Sequence, residues 1–363
     1  MNLQIKYGVS GTRALLALFL ATASALAVPP VTPNAAPEAV ELLKFIDGLS
    51  GKRTMTGQHN FPNTKDESTR RATEVCGKPP AVFGQDFGFA APGDKDSIAA
   101  RPELIAECQR QYAQGAIITL CWHAVPPTAD EPVTFRPVRG AATNPLASVQ
   151  GRLTDQQWND VLTPGTELYR RWCSQVDAIA IYLKQLEKAR VPVLWRPYHE
   201  MNGDWFWWGG RRGERGSAAL YRQLFDRYVH HHQLKNLVWV WSVDRPSTDE
   251  RQFADFFPGT NYFDIASLDV YRSDFKQSYY ESLLNLAAGR PIALAEVGPA
   301  PAIGILEQQP KWTWWMTWAG MVGTNDAVRA VFNNPRSFSA TDPDFVKATV
   351  PIRAASGLPA TNR

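Results

Sequence analysis

Residues 191–209 read VPVLWRPYHEMNGDWFWWG and combine a buried strand with a polar and aromatic segment. The apolar run VPVL at 191–194 is typical of a strand that is covered on both faces. The polar group HEMNG at 199–203 stands where that strand should end, and four aromatic residues follow at 205–208. Surface loops seldom carry so many large aromatics unless a ligand covers them. The stretch therefore predicts a buried strand with a binding site at its carboxyl end.

Short apolar segments alternate with amphipathic helical patterns from residue 38 onward, as in a parallel α/β fold. The predicted strands are 53–57, 81–87, 116–122, 193–198, 237–243, 263–270, 291–296 and 312–318, and the helices include 102–114, 167–189, 218–232, 278–288 and 326–332. Eight strands over about 280 residues, each followed by a crossover, predict a (β/α)8 TIM barrel that forms a single catalytic domain at 38–333. A doubly wound sheet would more often show a glycine-rich phosphate loop after the first strand, and this sequence has none there.

Both ends of the chain fall outside this pattern. Lys6 and Arg13 accompany the apolar run ALLALFLATASALA at 14–27, which predicts a signal peptide at 1–27. An uncleaved anchor is the alternative, although the run is shorter than the roughly 20 apolar residues that span a bilayer. A proline-rich linker at 28–37 is expected to be extended and mobile, and 334–363 to form a tail on the barrel surface. We expect a secreted or periplasmic protein without membrane contact after signal removal.

The bulk composition excludes some classes of partner. Of the 363 residues, 44% are hydrophobic and 20% are charged, which is normal for a folded protein. The net charge of +3 is too small to indicate binding to nucleic acid or to an anionic membrane. No CxxC spacing occurs, so a cysteine zinc site is not expected. Cys76 and Cys108 flank one predicted strand and could pair, whereas Cys121 is predicted to be a buried residue of a strand.

The segment 124–165 departs from the alternation of strands and helices. It is long, rich in proline and without helical periodicity. Loops of this length are usually functional. In a barrel it would follow the third strand, where it could form the wall at one end of a cleft.

Side chains at the carboxyl ends of barrel strands converge on one mouth. The predicted ends carry polar or aromatic residues, in chain order Gln58, His59, Gln85, Asp86, Trp122, His123, His199, Glu200, Trp241, Asp244, Asp269, Tyr271, Glu296 and Trp318. Aromatic faces stack on the apolar face of a pyranose ring, while charged groups act on its oxygens. The mouth therefore suits a site that handles sugars.

Two of these residues, Glu200 and Glu296, end the fourth and seventh predicted strands and would face each other. Glycoside hydrolysis needs one carboxylic acid to protonate the leaving oxygen and one carboxylate to attack or to activate water. A separation of about 5–5.5 Å would make the second carboxylate a nucleophile. Glu296 directly follows the apolar run PIALA at 291–295. This is an unusual position for an acidic residue on the protein surface. As the acid, Glu200 needs a raised pKa, which neighbouring aromatics would supply by desolvation.

Four motifs resemble those of glycoside hydrolase family 26, namely RPYHEMNG at 196–203, WFWWG at 205–209, DVY at 269–271 and AEVG at 295–298. The resemblance covers about residues 40–332. It implies a (β/α)8 barrel and a retaining double-displacement mechanism without metal or other cofactor, mostly on β-1,4-mannans. By motif position, the acid/base is Glu200 and the nucleophile is Glu296.

The same resemblance implies contacts with the reacting sugar. His123 and His199 would bind the sugar at the cleavage subsite, and Trp205 would stack near it. Trp318 would be the platform beneath that sugar. Members of the family often have a polar residue just after this tryptophan, where Ala319 stands here.

The resemblance also implies residues that support the nucleophile, and two further residues are predicted to contact the substrate. Tyr271 would donate a hydrogen bond to the nucleophile and help to orient it. Arg196 and Asp269 would support it from behind. Trp122 and Asn202 complete the predicted substrate-binding set.

We therefore expect a monomeric endo-enzyme that cleaves β-1,4-mannosidic bonds in mannan, glucomannan or galactomannan. The preference for mannose rests on the resemblance alone, so β-1,3-xylanase and mixed-linkage β-glucanase activities of the same family are alternatives. A carbohydrate-binding barrel without catalysis is a further alternative.

A metal-dependent hydrolase is the main alternative from another class. His59, His123 and His199 end three predicted strands and could hold zinc. Against this, no His-x-His pair ends the first strand and no lysine stands out as a bridging ligand. The run HHH at 230–232 ends a predicted helix and is interpreted as solvated or favoured by the helix dipole.

Overall fold

Eight parallel strands close into a barrel. The computed structural model describes Met1 and residues 28–93, 95–137 and 148–360. The strands are β1 (Thr54–His59), β2 (Val82–Asp86), β3 (Ile117–Trp122), β4 (Val193–Pro197), β5 (Leu237–Asp244), β6 (Ile265–Tyr271), β7 (Ile292–Gly298) and β8 (Trp312–Thr317). They pair in chain order, and β8 pairs with β1 to complete the barrel. Every predicted boundary lies within two residues of the observed one, so the (β/α)8 fold is confirmed.

The barrel strands are buried along almost their whole length, which explains why they read as continuous apolar runs. Only Tyr271, the last residue of β6, is partly exposed among the strand residues. Tryptophans supply the largest buried side chains of the strands, among them Trp195, Trp239, Trp241, Trp314 and Trp315. The barrel interior and the layer beneath the helices are therefore a packed core.

Helices cover the outside of the barrel. They are α1 (Pro37–Leu49), α2 (Glu67–Cys76), α3 (Arg101–Ala113), α4 (Asp155–Val161), α5 (Glu167–Lys188), α6 (Ser217–Asp226), α7 (Gln277–Ala287), α8 (Ile303–Gln308), α9 (Asp326–Phe332) and α10 (Pro343–Ala355). The helix predicted at 218–232 is divided, because α6 ends at Asp226 and the π-helical turn Arg227–His231 follows it.

The loop predicted at 124–165 contains more structure than its sequence indicated. Helix α4 lies within it and begins with a capping box, in which the side chains of Thr154 and Gln157 each bond the other's backbone N–H. The lack of helical periodicity therefore did not exclude a helix, because a capping motif can define a helix too short to show periodicity. Residues 138–147 of the loop lie outside the described part.

The segment before α1 contacts the barrel, unlike the mobile linker expected at 28–37. The N–H of Val31 donates to Oδ1 of Asp264 at 2.8 Å, and Thr32 is buried. Asp264 is fully buried, so its carboxylate requires such donors. Pro37 begins α1, a position at which its missing N–H costs no hydrogen bond.

The described part of the last segment, which extends to residue 360, lies on the barrel surface. The two-residue strand Ser337–Phe338 pairs with β1, and α10 packs against α1. Residues 2–27 of the predicted signal peptide lie outside the described residues. Within the described ranges, no helix is both long and apolar enough to cross a membrane.

The cysteine predictions have mixed outcomes. Cys76 ends α2 and Cys108 lies in α3, but both thiols are free, so the suggested disulfide is wrong. Burial raises the pKa of the Cys108 thiol above its usual range. Cys121 is a buried residue of β3, as expected.

Candidate active site

A cleft of about 1060 Å³ lies over the carboxyl ends of the strands. Seven of the predicted site residues line it, namely His123, His199, Glu200, Trp205, Tyr271, Glu296 and Trp318. The other four, Arg196, Asp269, Trp122 and Asn202, do not. The barrel thus brings together residues that are up to 195 positions apart in the chain.

Glu296 lies in β7 and is held at both carboxylate oxygens. The hydroxyl of Tyr271 donates to Oε1 at 2.5 Å, and Nη2 of Arg196 donates to Oε2 at 2.5 Å. Arg196 is fully buried and also donates from Nη1 to Asp269 at 2.8 Å. Ser242 in turn donates to Asp269 at 3.0 Å. These charge-assisted bonds stabilise negative charge on Glu296 and fix its direction.

Glu200 lies in a strained turn just beyond β4. Its φ is 52° and that of Tyr198 is 48°, which is unusual for residues with side chains. The turn directs the Glu200 carboxyl group into the cleft, where Nε1 of Trp205 donates to its Oε2 at 2.7 Å. Burial, followed by the negative charge of Glu296, raises the pKa of Glu200 well above its usual range. The Glu200 carboxyl group therefore holds a proton more readily than an ordinary glutamate does, as a general acid requires.

His123 and His199 form a fixed pair on one side of the cleft. Asp86 lies 2.7 Å from Nδ1 of His123 and also accepts the backbone N–H of His123 at 3.0 Å. The Nε2 atoms of the two histidines are 3.2 Å apart. Burial, reinforced by the charge of Arg196, lowers the pKa of His199 well below its usual range. Asp86 thus fixes the ring of His123, and His199 is held in its neutral form.

His59 supports the cleft from behind. Its ring stacks on Trp318 with centroids 3.6 Å apart and an interplanar angle of 17°. The histidine is fully buried, and neither ring nitrogen has a hydrogen-bond partner among the described residues. Burial lowers the pKa of His59 to about 3. A neutral aromatic ring therefore lies beneath the indole of Trp318.

The three strand-end histidines do not form a metal-binding group. Among the described residues, His, Cys, Asp and Glu side chains come within 4.8 Å of one another in two groups of three, and neither contains His59 or His199. One of these groups is Asp86, Cys121 and His123, in which burial raises the pKa of the Cys121 thiol well above its usual range. A protonated thiol is a poor metal ligand. The zinc alternative therefore finds no geometric support at the mouth.

Two residues predicted to bind substrate have structural positions instead. Trp122 is 2% exposed and packs into the core, because side chains alternate along a strand and the next residue, His123, faces the cleft. The side-chain amide of Asn202 accepts the N–H of Asp244 at 2.7 Å and donates to backbone oxygens of Asp244 and Arg251. Asn202 thus joins two loops beside the cleft.

The aromatic motif at 205–208 is also divided between the cleft and the buried core. Trp205 and Phe206 line the cleft, whereas Trp207 and Trp208 are buried. Nε1 of Trp207 donates to the oxygen of Ala124 at 2.7 Å, and Nε1 of Trp208 donates to that of His199 at 2.8 Å. Half of the motif is therefore framework and has no need of a ligand to cover it.

Residues between the barrel strands that sequence reasoning missed complete the cleft. They comprise phenylalanines and arginines outside the predicted strand ends, namely Phe61, Phe89, Phe135, Arg136, Arg245, Arg251 and Arg272. Arg251 lies over the ring of Trp205, with Cζ 5.1 Å from its centroid. The aromatic character of the three phenylalanines is the only sequence signal that could have indicated part of this set. The segments show no periodicity, so nothing in the sequence pointed to the arginines.

Known proteins share this architecture. The family model of glycosyl hydrolase family 26 matches residues 31–341. The chain belongs to that family. It is 31% identical over 311 residues to a mannan endo-1,4-β-mannosidase of Thermothelomyces thermophilus, a match that covers 84% of this chain and 58% of that protein. It is 28% identical over 346 residues to a Bacillus subtilis mannan endo-1,4-β-mannosidase, covering 86% of this chain and 88% of that protein.

Solved structures of the family resemble this barrel over most of the chain. GH26A from Muricauda sp. MAR_2010_75 superposes with a TM-score of 0.77 at 41% identity and covers 85% of this chain and 98% of its own. A Podospora anserina GH26-CBM35 β-(1,4)-mannanase gives a TM-score of 0.69 at 27% identity, with 86% of this chain and 68% of its own covered. The chain is thus a glycoside hydrolase by family, and the seven cleft residues lie on a known scaffold.

Proposed function

We propose that this family 26 member is a secreted, retaining endo-β-1,4-mannanase in which Glu200 is the acid/base and Glu296 the nucleophile. The observation that carries this proposal is the contrast between two carboxyl groups on one cleft. Burial and nearby negative charge favour a proton on Glu200, whereas Arg196 and Tyr271 stabilise charge on Glu296. Retaining glycosidases need this division between acid and nucleophile.

Mannan is the proposed substrate because several relatives are named for acting on it. A cleft of about 1060 Å³ can hold several sugar units, which suits attack within a chain. Secretion, guided by the predicted signal peptide, would place the monomeric enzyme beside its substrate.

In the first step, Glu200 donates its proton to the glycosidic oxygen while a carboxylate oxygen of Glu296 attacks the anomeric carbon. The bond to the leaving sugar breaks with its electron pair, and a glycosyl ester of Glu296 forms. The released chain leaves with the proton as a new hydroxyl group. Glu200 is then a carboxylate.

In the second step, the changed charge of Glu296 alters the role of Glu200. The ester carries no negative charge, so one of the causes that raised the pKa of Glu200 is removed. The Glu200 carboxylate then accepts a proton from water as the water oxygen attacks the anomeric carbon. The ester bond breaks with its electron pair, so Glu296 is released as a carboxylate. Two inversions leave the configuration retained.

The remaining cleft residues hold the sugar in position. Trp318, backed by His59, offers a flat face under the reacting ring, and the His123–His199 pair offers fixed polar atoms to its hydroxyls. Trp205 both contacts the sugar and holds Glu200, through its indole N–H.

The test is a product analysis on purified linear mannan, glucomannan, β-1,3-xylan and mixed-linkage β-glucan, with the anomeric signal followed by proton NMR at early times. We expect manno-oligosaccharides of mixed length whose new reducing ends appear first as the β anomer. Early α anomer would overturn the retaining mechanism, and cleavage of xylan or glucan alone would assign the substrate to the alternative activities. Failure of the folded enzyme to cleave any of them would favour a binding protein.

A further inference from the structure

Three consecutive histidines, His230, His231 and His232, lie on the outer wall of the barrel. They occupy the end of the π-helical turn Arg227–His231 and the residue after it. His232 comes five residues before β5 begins, so the run lies toward the amino end of the barrel. None of the three lines the cleft. Single π turns of this kind often occur at functional sites.

Two of these histidines converge on a carboxylate of α5. Nε2 of His232 lies 2.6 Å from Oδ1 of Asp177, and the rings of His231 and His232 are in contact with centroids 4.8 Å apart. One ligand atom from each of these three residues lies within 4.8 Å of the other two. His230 is not part of this group: it lines the same cavity as His231, but its Nε2 lies 3.8 Å from Oδ1 of Asp226.

We propose that Asp177, His231 and His232 form a binding site for a divalent transition metal ion, with Zn²⁺ as the best match to the ligands. Imidazole and carboxylate groups bind Zn²⁺ at about 2.0–2.2 Å, and a water completes a tetrahedral set. Tetrahedral ligands at this distance are about 3.3 Å apart. The 2.6 Å separation between His232 and Asp177 therefore needs to open by about 0.7 Å.

The site is accessible from solvent. His231 is exposed, and it also lines a cavity of about 670 Å³ together with Asp226 and Arg227. Asp177 and His232 are partly buried, so their side chains lose less conformational entropy on binding an ion than exposed side chains would. Of the three proposed ligands His231 alone lines this cavity, so it is the group that an ion arriving from solvent would meet first.

Arg227 is the group whose charge opposes a bound cation. Its Nε and Nη2 donate to Oδ1 and Oδ2 of Asp177, each at 2.6 Å. The side chains of this pair are 18% and 33% exposed, so solvent weakens the repulsion between the guanidinium and the ion. The bond to Oδ2 can remain while the metal takes Oδ1, and hydrogen bonds of this kind orient ligating carboxylates.

Binding would connect α5 to the turn after α6 at a place remote from the chemistry. An ion that binds only the folded chain shifts the unfolding equilibrium by mass action. We therefore expect the ion to stabilise the fold.

Isothermal titration of the untagged protein with ZnCl₂ tests the proposal. We expect one ion per chain, at least tenfold weaker binding in His231→Gln, His232→Gln and Asp177→Asn, and wild-type affinity in the matched control His230→Gln. A hundredfold excess over Kd should raise the wild-type unfolding midpoint by about 3–5 °C and leave that of His232→Gln unchanged.

Absence of binding by the wild type would overturn the proposal. So would an equal loss in His230→Gln and His232→Gln, because the histidine run alone would then account for the affinity. If Asp177→Asn unfolds for want of a partner for Arg227, the exposed His231→Gln still decides between the outcomes. Circular dichroism in EDTA identifies variants that are folded.

Discussion

The end of β4 and the end of β7 present the same side chain to one cleft in contrasting surroundings. Both oxygens of Glu296 accept hydrogen bonds, from Tyr271 and Arg196, whereas Glu200 accepts one from Trp205 among the described residues. Glu200 is also near three other carboxylates whose charges raise its pKa. The comparison shows that neighbours assign the roles of two chemically identical groups.

Removal of the Glu296 carboxylate should have the largest effect. We expect Glu296→Gln to lower kcat on mannan by about 10⁴–10⁶-fold, because no group then attacks the anomeric carbon. Steady-state kinetics measures this, and Glu307→Gln, an exposed position on α8, is the matched control. A loss of kcat below tenfold would show that Glu296 is not the nucleophile.

Glu200→Gln should cause a smaller loss that depends on the leaving group. We expect kcat/KM on mannan to fall by about 10²–10⁴-fold, since the glycosidic oxygen leaves without a proton. An aryl mannoside with an acidic phenol needs no such proton, so its kcat/KM should change little. Equal losses on the two substrates would argue against Glu200 as the acid.

Tyr271→Phe removes one of the two bonds that hold Glu296. A hydrogen bond to a charged group contributes about 1.5–3 kcal/mol, so kcat should fall by about 10–100-fold with little change in KM. Tyr262→Phe, outside the cleft, is the control. A change confined to KM would indicate that Tyr271 binds substrate and has no part in orienting the nucleophile.

His59→Phe should affect acid stability more than catalysis. The pKa of His59 is lowered from 6.5 to about 3 in the folded protein, so between these values the unfolded chain binds the extra proton. Protonation of His59 in the unfolded chain therefore lowers the free energy of unfolding as the pH falls from 6.5 toward 3, and has no such effect above pH 6.5. Phenylalanine keeps the ring against Trp318 without this titration.

Urea unfolding at pH 7 and pH 4.5 measures the difference. We expect the loss of stability on acidification to be about 2–3 kcal/mol smaller in His59→Phe than in the wild type. The same acid loss in both proteins would show that His59 does not titrate in this way. Activity on mannan should be nearly unchanged, because the stacking surface remains.

The barrel and its two glutamates could be predicted because both depend on local patterns. Buried parallel strands read as apolar runs, and each run ends at a recognisable polar residue such as Glu200 or Glu296. Both signals can be recognised in the sequence without knowing which strands pair with each other. The order of the ends around the mouth then follows from the closed barrel.

Other features depend on contacts between distant segments and left no local signal. Trp207 and Trp208 look like ligand-binding residues in sequence, but each finds a backbone acceptor that folding supplies. Asp264 holds the segment before α1 across 233 residues of chain. Phe61 reaches the cleft only because its loop folds over the mouth.

Titration of the Glu200 carboxyl group tests the contrast between the two glutamates most directly. Carbon-13 NMR of protein labelled at the glutamate carboxyl carbon can follow it, with the signal assigned by its loss in Glu200→Gln. We expect a pKa well above the ordinary 4.5 in the wild type and a lower pKa in Glu296→Gln, where the neighbouring charge is gone. A wild-type Glu200 that titrates at 4.5 or below, or a pKa unchanged by Glu296→Gln, would contradict the account.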